Sequence, residues 1–416
     1  MDTPRIVIVG GGIAGLLLAT ELGRSLGGSG RARISLVDRS FTHVWKPMLH
    51  TIAAGTRDVH LQSVQFLDHA QRNGYSFEPG ELVGVDRVAR RVDLGPIRAA
   101  DGSVLVEPRS LAYDWLVLAL GSGVNDFGTP GVRAHAHAID HQAQAEAFNQ
   151  ALRGRLLRAA LHDTDVRVAI VGAGATGVEL AAELSDLMEQ ASGFGDAGLR
   201  RRLRLSLYEG GPRILGAFPE RISAAGHRTL ERLGFAVHTQ ARVEAVTATG
   251  VTLAGQGDCP ADITVWAAGV KAPAVLAGIP GLRTNRLQQL EVTPGLHTTE
   301  DERIFALGDC ASLQPAGAAR ALPPTAQVAT QQALHLARHL GDTLRGRATP
   351  AFAHRDLGVL VSLGKYSAYG TLGSAGLFPG HFVRGRVAQW GHAWLHRRHQ
   401  AAVLGWGRMS LGVVAE

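Results

Sequence analysis

The sequence predicts an α/β fold built around two copies of one strand–turn–helix unit. In the first copy, GGGIAG at residues 10–15 directly follows an apolar run, and a later strand ends at Asp38. In the second copy, GAGATG at residues 172–177 directly follows an apolar run, and a later strand ends at Glu209. This combination is the fingerprint of a Rossmann-like dinucleotide-binding domain. We therefore expect two such domains in the chain.

The glycines of each motif have separate roles. The first allows a tight turn, the second lets the backbone approach a pyrophosphate, and the third lets helix and strand pack closely. The helix N-terminus offers free N–H groups to the phosphates. An acid at the strand end accepts hydrogen bonds from a ribose 2′-OH and repels a 2′-phosphate, so Glu209 favours NAD over NADP. In order of role, these glycines are Gly10 and Gly172, Gly12 and Gly174, and Gly15 and Gly177.

Two bound dinucleotides can place one redox ring against the other, and the pair of motifs therefore indicates a flavoenzyme that is reduced by a nicotinamide cofactor. The length of 416 residues predicts two or three domains, and no apolar stretch is long enough to span a membrane. The N-terminal apolar run leads into a glycine turn, so we expect no secretion signal. Cys259 and Cys310 lie far apart, which fits a reducing cytoplasm and excludes a redox pair close in sequence.

The C-terminal region differs in charge from the rest of the chain, whose formal net charge is +6. No acidic residue lies between Asp356 and Glu416, and this span holds three of the six tryptophans. Such a composition is typical of a membrane-surface segment. A core or dimer-interface helix with a basic edge is the alternative. The predicted helix has an apolar face of Val383, Val387, Trp390 and Trp394, flanked by Arg386, Arg397 and Arg398.

The order of the motifs predicts how the chain is divided. A strand at 263–270 is expected to return the chain toward the first domain. A long helix is expected from Pro324 to about Leu340, with proline near its start as helices prefer. The predicted divisions are a first part of the FAD-binding domain at 1–124, an NADH-binding domain at 125–265, a second part of the FAD-binding domain at 266–349 and a membrane-associating region at 350–416.

Two groups of histidines invite a metal interpretation. Neither group has a carboxylate or thiol at ligand spacing in its own segment, so the sequence predicts no metal site. Nothing in the sequence predicts binding to nucleic acid. The histidine groups are His135, His137 and His141, and His392, His396 and His399.

The motifs resemble those of the flavin- and pyridine-nucleotide-dependent oxidoreductases that hold two dinucleotides. Within that group the chain is similar to type II NADH dehydrogenase, the single-subunit, non-proton-pumping NADH:quinone oxidoreductase of respiratory membranes. The resemblance covers almost the whole chain, and its more specific signals are Lys46-Pro47 and the helix at Ala326-Gln327. The matching segments are 41–50, 113–121, 172–184, 265–273, 308–311 and 326–332.

The resemblance implies a non-covalent FAD in the first domain. Lys46 and Pro47 would lie near the isoalloxazine, and Asp309 would bond the ribitol chain. Ala326 and Gln327 would approach the pyrimidine edge, where a positive helix end favours an anionic reduced flavin. The pyrophosphate and adenosine ribose would be held by Gly10, Gly12, Gly15 and Asp38, with further cofactor contacts at Ala14, Arg39, Gly121 and, in the second domain, Gly269.

The resemblance also implies sites for NADH, the substrate, and for a membrane quinone. Glu179 would face the nicotinamide, while Gln327 and Gln331 share one helix face and would line the quinone pocket. Thr51 departs from the family pattern, in which an acid stands at this position. NADH would be held by Gly172, Gly174, Gly177 and Glu209.

Two other functions remain open at this stage. A sulfide:quinone oxidoreductase needs cysteines that relay sulfur, and a non-catalytic NADH sensor would bind the nucleotide at the membrane without reducing a flavin. The resemblance implies a peripheral position on the cytoplasmic face of the inner membrane, with contact to anionic lipid. The sequence leaves open the quinone type and whether the chain forms a homodimer.

Overall fold

The computed structural model describes residues 3–56, 63–193, 202–373, 382–385 and 400–405, with the single positions 391 and 397. Short helical turns occur at Gly23–Gly27, Lys46–Met48 and Gly308–Cys310. In chain order the helices are α1 (Ile13–Leu22), α2 (Leu49–Ala54), α3 (Phe66–Asn73), α4 (Val132–His135), α5 (Gln142–His162), α6 (Ala175–Gly193), α7 (Glu220–Arg232), α8 (Ala274–Ala277) and α9 (Ala326–Thr343).

The strands alternate with these helices in the two nucleotide-binding units. In chain order they are β1 (Arg5–Val9), β2 (Arg33–Asp38), β3 (Thr42–His43), β4 (Val64–Gln65), β5 (Ser76–Pro79), β6 (Leu82–Asp86), β7 (Arg91–Leu94), β8 (Ile97–Arg98), β9 (Val104–Val106), β10 (Arg109–Ala112), β11 (Trp115–Leu118), β12 (Gly123–Val124), β13 (Ala136–His137), β14 (Val166–Val171), β15 (Leu203–Tyr208), β16 (Phe235–His238), β17 (Val243–Thr247), β18 (Gly250–Leu253), β19 (Gly257–Pro260), β20 (Ile263–Trp266), β21 (Val270–Lys271), β22 (Leu290–Glu291), β23 (His297–Thr298), β24 (Asp301–Ala306), β25 (Ala311–Ser312), β26 (Gly358–Leu363), β27 (Ser367–Leu372) and β28 (Phe382–Arg384).

The first large sheet has the strand order β23-β24-β11-β1-β2-β5 over the described residues. β1 runs parallel to both β2 and β11, with Ile6 opposite Ile34 and Trp115. Helices α1 and α9 pack against each other on this sheet. Residues 6–9 are buried without interruption, as expected for a parallel strand that is covered on both faces. This unit combines the beginning of the chain with residues after 296.

The second large sheet has the described strand order β13-β20-β14-β15-β16, and β14 lies in its middle. The segment at 263–270 was expected to be one strand that returns the chain toward the first domain; the chain does return there, with Ala272 in the core of the first unit, but the segment forms two short strands. Its fully buried part is β20, which pairs in parallel with β14 inside the second sheet. Gly269, at φ +66°, then turns the chain. The link to the first unit is the short antiparallel ladder of β12 and β21.

The helix predicted from Pro324 begins at Ala326 and continues to Thr343. Its N-cap is Thr325, whose hydroxyl oxygen accepts a hydrogen bond from Val328 N at 3.3 Å. A threonine in extended conformation that accepts from a free N–H of the first turn is a preferred N-cap. The helix therefore begins two residues after the predicted first residue, Pro324.

The C-terminal region begins with an antiparallel sheet of β26, β27 and β28 that packs on α6 and α7. Val383 lies in β28 opposite Gly370, so the expectation that it opens a helical apolar face was wrong. Its pairing with β27 is a long-range contact that periodicity alone does not reveal. The remainder of that predicted face (Val387, Trp390 and Trp394), with Arg386 and Arg398, lies outside the described residues, as does the histidine group His392, His396 and His399.

The end of the described chain returns to the first unit. Residues 401–404 are helical, and Val403 is only 1% exposed within the core of that unit. The Val403 carbonyl accepts a hydrogen bond from His69 Nε2 at 2.8 Å, while His69 Nδ1 lies 2.8 Å from the Tyr75 hydroxyl. Within the described part of the chain, no helix combines the length and apolarity needed to cross a membrane.

Candidate active site

The two glycine turns have the same geometry. Gly10 and Gly172 have φ of +106° and +100°, a conformation that other residues rarely adopt. A Cβ on Gly15 would lie 1.8 Å from the carbonyl oxygen of Gly10, and one on Gly177 would lie 2.0 Å from that of Gly172. The helix therefore approaches the turn in both units at a distance that only glycine permits.

The middle glycine of each turn has a different environment. A Cβ built on Gly12 or on Gly174 would meet no heavy atom within 4 Å. Open space thus lies over the N-terminus of α1 and over the N-terminus of α6, where backbone N–H groups and the positive end of the helix dipole favour an anion. Each turn fits a pyrophosphate, and the chain has two such cradles.

An acidic side chain borders each cradle in the same way. Asp38 accepts hydrogen bonds from Gly11 N at 2.5 Å and from Ser40 N at 2.8 Å. Glu209 accepts one at 2.9 Å from the second residue of its own turn, and one at 2.8 Å from the residue two positions beyond itself. Both carboxylates therefore lie directly beside the glycine turn of their own unit. Burial raises the pKa of Asp38, and its backbone N–H donors partly oppose that shift.

Lys46 connects the first unit to the second. Its Nζ donates to the Ser122 carbonyl at 2.7 Å and lies 3.4 Å from Asp140 Oδ1. Asp140 in turn accepts from Val124 N at 2.6 Å. Pro47 follows inside the same helical turn, which leads directly into α2. A cation is thereby fixed between the two nucleotide-binding units.

Hydrogen bonds fix Asp309 and the glycine before it at the end of the first sheet. Its Oδ2 accepts from the Ser122 hydroxyl at 2.7 Å, and its carbonyl accepts from Gln289 Nε2 at 2.8 Å. The preceding Gly308 N donates to Gln332 Oε1 at 2.7 Å. Sequence reasoning did not single out Gln289 or Gln332, because their roles depend on contacts made only after folding.

Gln327 and Gln331 both bind the segment at 354–358 with their side-chain amides. Gln327 Oε1 accepts from Leu357 N at 3.0 Å, and its Nε2 donates to the Gly358 carbonyl at 3.0 Å. Gln331 exchanges two hydrogen bonds with the backbone of Arg355, at 2.8 and 2.9 Å. Both glutamines project from the same face of α9, next to the N-terminus at Ala326, and both attach the C-terminal region to it.

Glu179 lies buried where α2, α6 and β26 meet. Its Oε1 accepts from Ser362 N at 3.1 Å, and its Oε2 lies 3.7 Å from His50 Nδ1. Burial raises the pKa of Glu179 to about 8; the Ser362 N–H opposes this shift, and the nearby Glu183 adds to it. Glu183, one helical turn further on α6, accepts from the Thr56 hydroxyl at 2.6 Å. His50 and Glu183 were not among the expected site residues. Both are buried titratable side chains near Glu179, so the structure adds them to this site.

Two adjoining cavities lie at the carboxyl ends of the strands in the second sheet. The larger has a volume of about 640 Å³ and is lined by Gly172, Gly174 and Glu209. The smaller, of about 50 Å³, is lined by Lys46 and by Thr176 of α6. Trp266, Ala267 and Gly269 line both cavities. A long ligand in the larger cavity would therefore extend toward Lys46 and the first unit.

The remaining expected cofactor positions have mixed surroundings. Ala14 is buried on α1, and Gly121 has φ +68° with open space beside it. Arg39 is exposed and pairs with Glu81 at 3.3 Å. Among the described residues, no group of three or more histidines, cysteines or carboxylates is arranged to hold a metal.

The two cysteines do not form a redox pair. Cys310 is buried, its Sγ lies 3.2 Å from the Leu307 carbonyl, and burial raises the pKa of its thiol to about 11. Cys259 is a free, half-buried residue on β19. The two thiols are both free and lie in different parts of the fold.

Comparison with known proteins gives a consistent result. The family model described as pyridine nucleotide-disulphide oxidoreductase matches residues 4–333. A protein of Haemophilus influenzae described as type II NADH:quinone oxidoreductase is 38% identical over 431 residues, covering 99% of this chain and 97% of that protein. A protein of Staphylococcus aureus with the same description is 27% identical over 378 residues, covering 89% and 90%.

Solved structures share the fold at lower identity. NDH2 from Plasmodium falciparum in complex with NADH superposes with a TM-score of 0.82 at 18% identity, covering 97% of each chain. The sulfide:quinone oxidoreductase of Aquifex aeolicus superposes with a TM-score of 0.75 at 17% identity, covering 97% of this chain and 92% of that one. At these identities the likeness demonstrates a common fold and nothing about the substrate.

Proposed function

We propose a function from one premise: this chain belongs to the pyridine nucleotide-disulphide oxidoreductase family and, within it, to the type II NADH:quinone oxidoreductases. It transfers electrons from NADH through a flavin to a quinone, without proton pumping. The observation that carries the proposal is the repeated cradle, an open glycine turn with an adjacent carboxylate, at both Gly12 and Gly174. One cradle serves the flavin nucleotide and the other serves NADH.

The flavin is FAD, held non-covalently. The chemistry that FAD supplies when bound is acceptance of a hydride from NADH and release of two electrons to the quinone. The glycine turn at residues 10–15 and the adjacent Asp38 support an adenine dinucleotide rather than a flavin mononucleotide. Asp309 would hold the ribitol chain, and Ala326, at the N-terminus of α9, would hold the pyrimidine edge of the ring. The other FAD contacts are Gly10, Gly12, Ala14, Gly15, Arg39, Lys46, Pro47 and Gly121.

The second unit binds NADH across the ends of three strands. Glu209, after β15, accepts from the adenosine ribose, and its charge repels the additional phosphate of NADPH. The N-terminus of α6 binds the pyrophosphate through the turn that contains Gly172, Gly174 and Gly177. Gly269, after β20, borders the nicotinamide, which extends toward Lys46. This arrangement would bring the nicotinamide toward the first unit, where hydride transfer to the flavin requires the two rings to meet.

Quinone reduction consumes one proton from solution for each NADH oxidised. Glu179 holds a proton at neutral pH, because burial raises its pKa to about 8. Its position beside His50 and the first turn of α6 supports a role close to the nicotinamide and flavin. We assign the quinone site to the side of α9 that carries Gln327 and Gln331, where their amides bind the segment at 354–358.

The protein binds peripherally to the cytoplasmic face of the inner membrane. This placement is supported by the basic sequence between Asp356 and Glu416, which contains no acidic residue and suits anionic lipid. The domains divide at 124/125, 265/266 and 349/350. Whether a homodimer forms is a separate question that sedimentation of the purified protein answers.

The decisive experiment is NADH oxidation by purified protein with and without a soluble quinone. NADH alone should bleach the flavin absorbance, and added quinone should restore it. A protein that binds NADH without bleaching would be a sensor and would contradict the proposal. Sulfide in place of NADH tests the sulfide:quinone alternative, which the lack of a cysteine pair disfavours. Bleaching by sulfide but not by NADH would support that alternative.

A further inference from the structure

Phe127 combines two unfavourable features in the wall of the larger cavity. Its side chain is 65% exposed, and its backbone has φ of +50°. A bulky residue in the left-handed region is a conformational outlier, and such strain collects where a ligand is held. An exposed phenylalanine also forgoes the burial that normally stabilises the ring. Both costs are explained if a ligand covers the ring.

The loop around Phe127 is fixed rather than free to collapse. Asn125 Oδ1 accepts from Phe127 N at 3.0 Å, and the buried Trp266 Nε1 donates to the Asn125 carbonyl at 2.9 Å. Asp126 pairs with Lys271 at 2.9 Å and with Arg133 at 2.7 Å. These side-chain donors hold the pKa of Asp126 below its usual range. The loop therefore presents the ring at a defined place.

The ring lies against Gly269. A Cβ on Gly269 would meet the Phe127 ring at 2.5 Å, so the glycine leaves the room that the ring occupies. Gly269 follows β20 and lines both cavities. Glu209, at the end of β15, is on the opposite side of the central β14. The ring thus stands at the end of the cavity away from the adenosine acid.

We propose that Phe127 is a contact residue for NADH. The phenyl ring of Phe127 would cover the nicotinamide-riboside half of the bound nucleotide. The inference rests on the proposed function. An aromatic side chain can pack on a nicotinamide ring in an offset or edge-to-face arrangement, and it excludes water from the reacting end. The role is to set how tightly this half of the nucleotide is held.

The test compares wild type with Phe127→Ala, Phe127→Leu and Phe127→Tyr. Loss of one aromatic contact should weaken NADH binding by about three- to tenfold in the alanine variant. The tyrosine variant should restore most of the affinity, because it keeps the ring. Leu161→Ala, which removes another exposed apolar side chain on α5, is the matched control and should change nothing. Should the alanine variant fold poorly, the leucine variant, which keeps apolar bulk without a ring, provides the comparison.

Two ligand fragments locate the contact by equilibrium binding, independently of turnover. Reduced nicotinamide mononucleotide should bind more weakly to Phe127→Ala than to wild type, while ADP-ribose should bind both equally. Weakened ADP-ribose with unchanged mononucleotide would overturn the placement at the nicotinamide end. Unchanged binding of both fragments and of NADH would overturn the proposal altogether. If wild type binds the fragments but fails to pass electrons to quinone, the proposed function fails while the test of Phe127 still stands.

Discussion

His50 and Glu179 face each other inside the protein, with Nδ1 and Oε2 separated by 3.7 Å and both side chains almost fully buried. His50 is supplied by α2, near the beginning of the chain, and Glu179 is supplied by α6 of the second unit. The backbone N–H of Ser362, from the C-terminal sheet, completes the contact. One buried carboxyl group therefore joins all three parts of the chain, and its protonation state affects both the chemistry and the stability of their junction.

Replacing Glu179 with glutamine should remove the loss of folding stability that we expect wild type to show as pH rises. The carboxyl group has a pKa of about 8 when folded and an ordinary value near 4.5 when unfolded. Between these values only the folded state holds the proton, so wild-type stability falls as pH rises through this window. Each pKa unit corresponds to about 1.4 kcal/mol. We expect the melting temperature of Glu179→Gln, relative to that of wild type, to increase between pH 5 and about pH 8. Between about pH 8 and pH 9 the difference should stay constant.

The matched control for this experiment is Glu302→Gln, which changes an exposed acid on β24. Its melting temperature should follow wild type across the same pH range. A constant difference between Glu179→Gln and wild type would mean that Glu179 is ionised when folded, against the effect of burial. Turnover should decline in Glu179→Gln if the carboxyl group also holds the proton for the reaction.

Replacing Glu209 with glutamine should narrow the preference for NADH over NADPH. The two backbone N–H groups donate to different oxygens of the carboxylate, at 2.9 Å to Oε2 and at 2.8 Å to Oε1, so the single amide oxygen of glutamine can keep one of these bonds and loses the other. The lost hydrogen bond affects both nucleotides, whereas the repulsion of a 2′-phosphate acts on NADPH alone, and its removal should change the preference by about 1 kcal/mol, or several-fold in kcat/KM. The ratio of kcat/KM for the two nucleotides is the measurement. Glu220→Gln, an exposed acid on α7, is the control, and an unchanged ratio in Glu209→Gln would contradict the assignment.

Local sequence was sufficient for the parts of the site that local geometry determines. A glycine turn between a strand and a helix specifies its own conformation, so Gly10 and Gly172 could be assigned before folding. His69 and Val403 lie 334 positions apart, and no periodicity brings them together. The pairing of Val383 with Gly370 likewise depends on a sheet edge that only the folded chain provides. The sequence therefore predicts the cradles well and the attachment of the C-terminal region poorly.

Replacing Gln327 with leucine should slow flavin reoxidation by quinone more than flavin reduction by NADH. The side chain would lose its hydrogen bonds to Leu357 N and the Gly358 carbonyl, both at 3.0 Å, as well as any contact to a quinone carbonyl. One lost hydrogen bond to substrate costs about 1 kcal/mol, or roughly fivefold in rate. Rapid mixing can measure the two half-reactions separately.

A further variant separates substrate contact from loop attachment. His354→Ala removes the neighbour that lies 3.1 Å from Gln327 Oε1 but leaves the glutamine in place. It should affect the quinone half-reaction less than Gln327→Leu does. Equal slowing of both half-reactions in Gln327→Leu would show that the residue holds the segment at 354–358 and that quinone binds elsewhere.

The described end of the chain changes how the membrane segment should be tested. Deleting everything from residue 380 would remove Val403 from the core and leave His69 without its carbonyl partner. Loss of a buried valine costs about 1.5–3 kcal/mol, so this deletion should lower the melting temperature as well as vesicle binding. A chain that ends after residue 405 keeps both contacts and should melt like wild type.

Charge neutralisation tests the membrane role without this loss of core packing. Changing Arg384, Arg397 and Arg398 to glutamine should reduce sedimentation with anionic vesicles, because each basic residue near such a surface contributes about 1 kcal/mol. The remaining binding should be less sensitive to salt, since screening acts only on the charges. NADH oxidation with a small soluble acceptor should be unchanged. The control is the same change at the exposed Arg153, Arg155 and Arg158 of α5. An equal loss of vesicle binding in the control would mean that net charge, not the C-terminal region, attaches the protein. Unchanged sedimentation of the Arg384, Arg397 and Arg398 variant would favour a dimer interface instead.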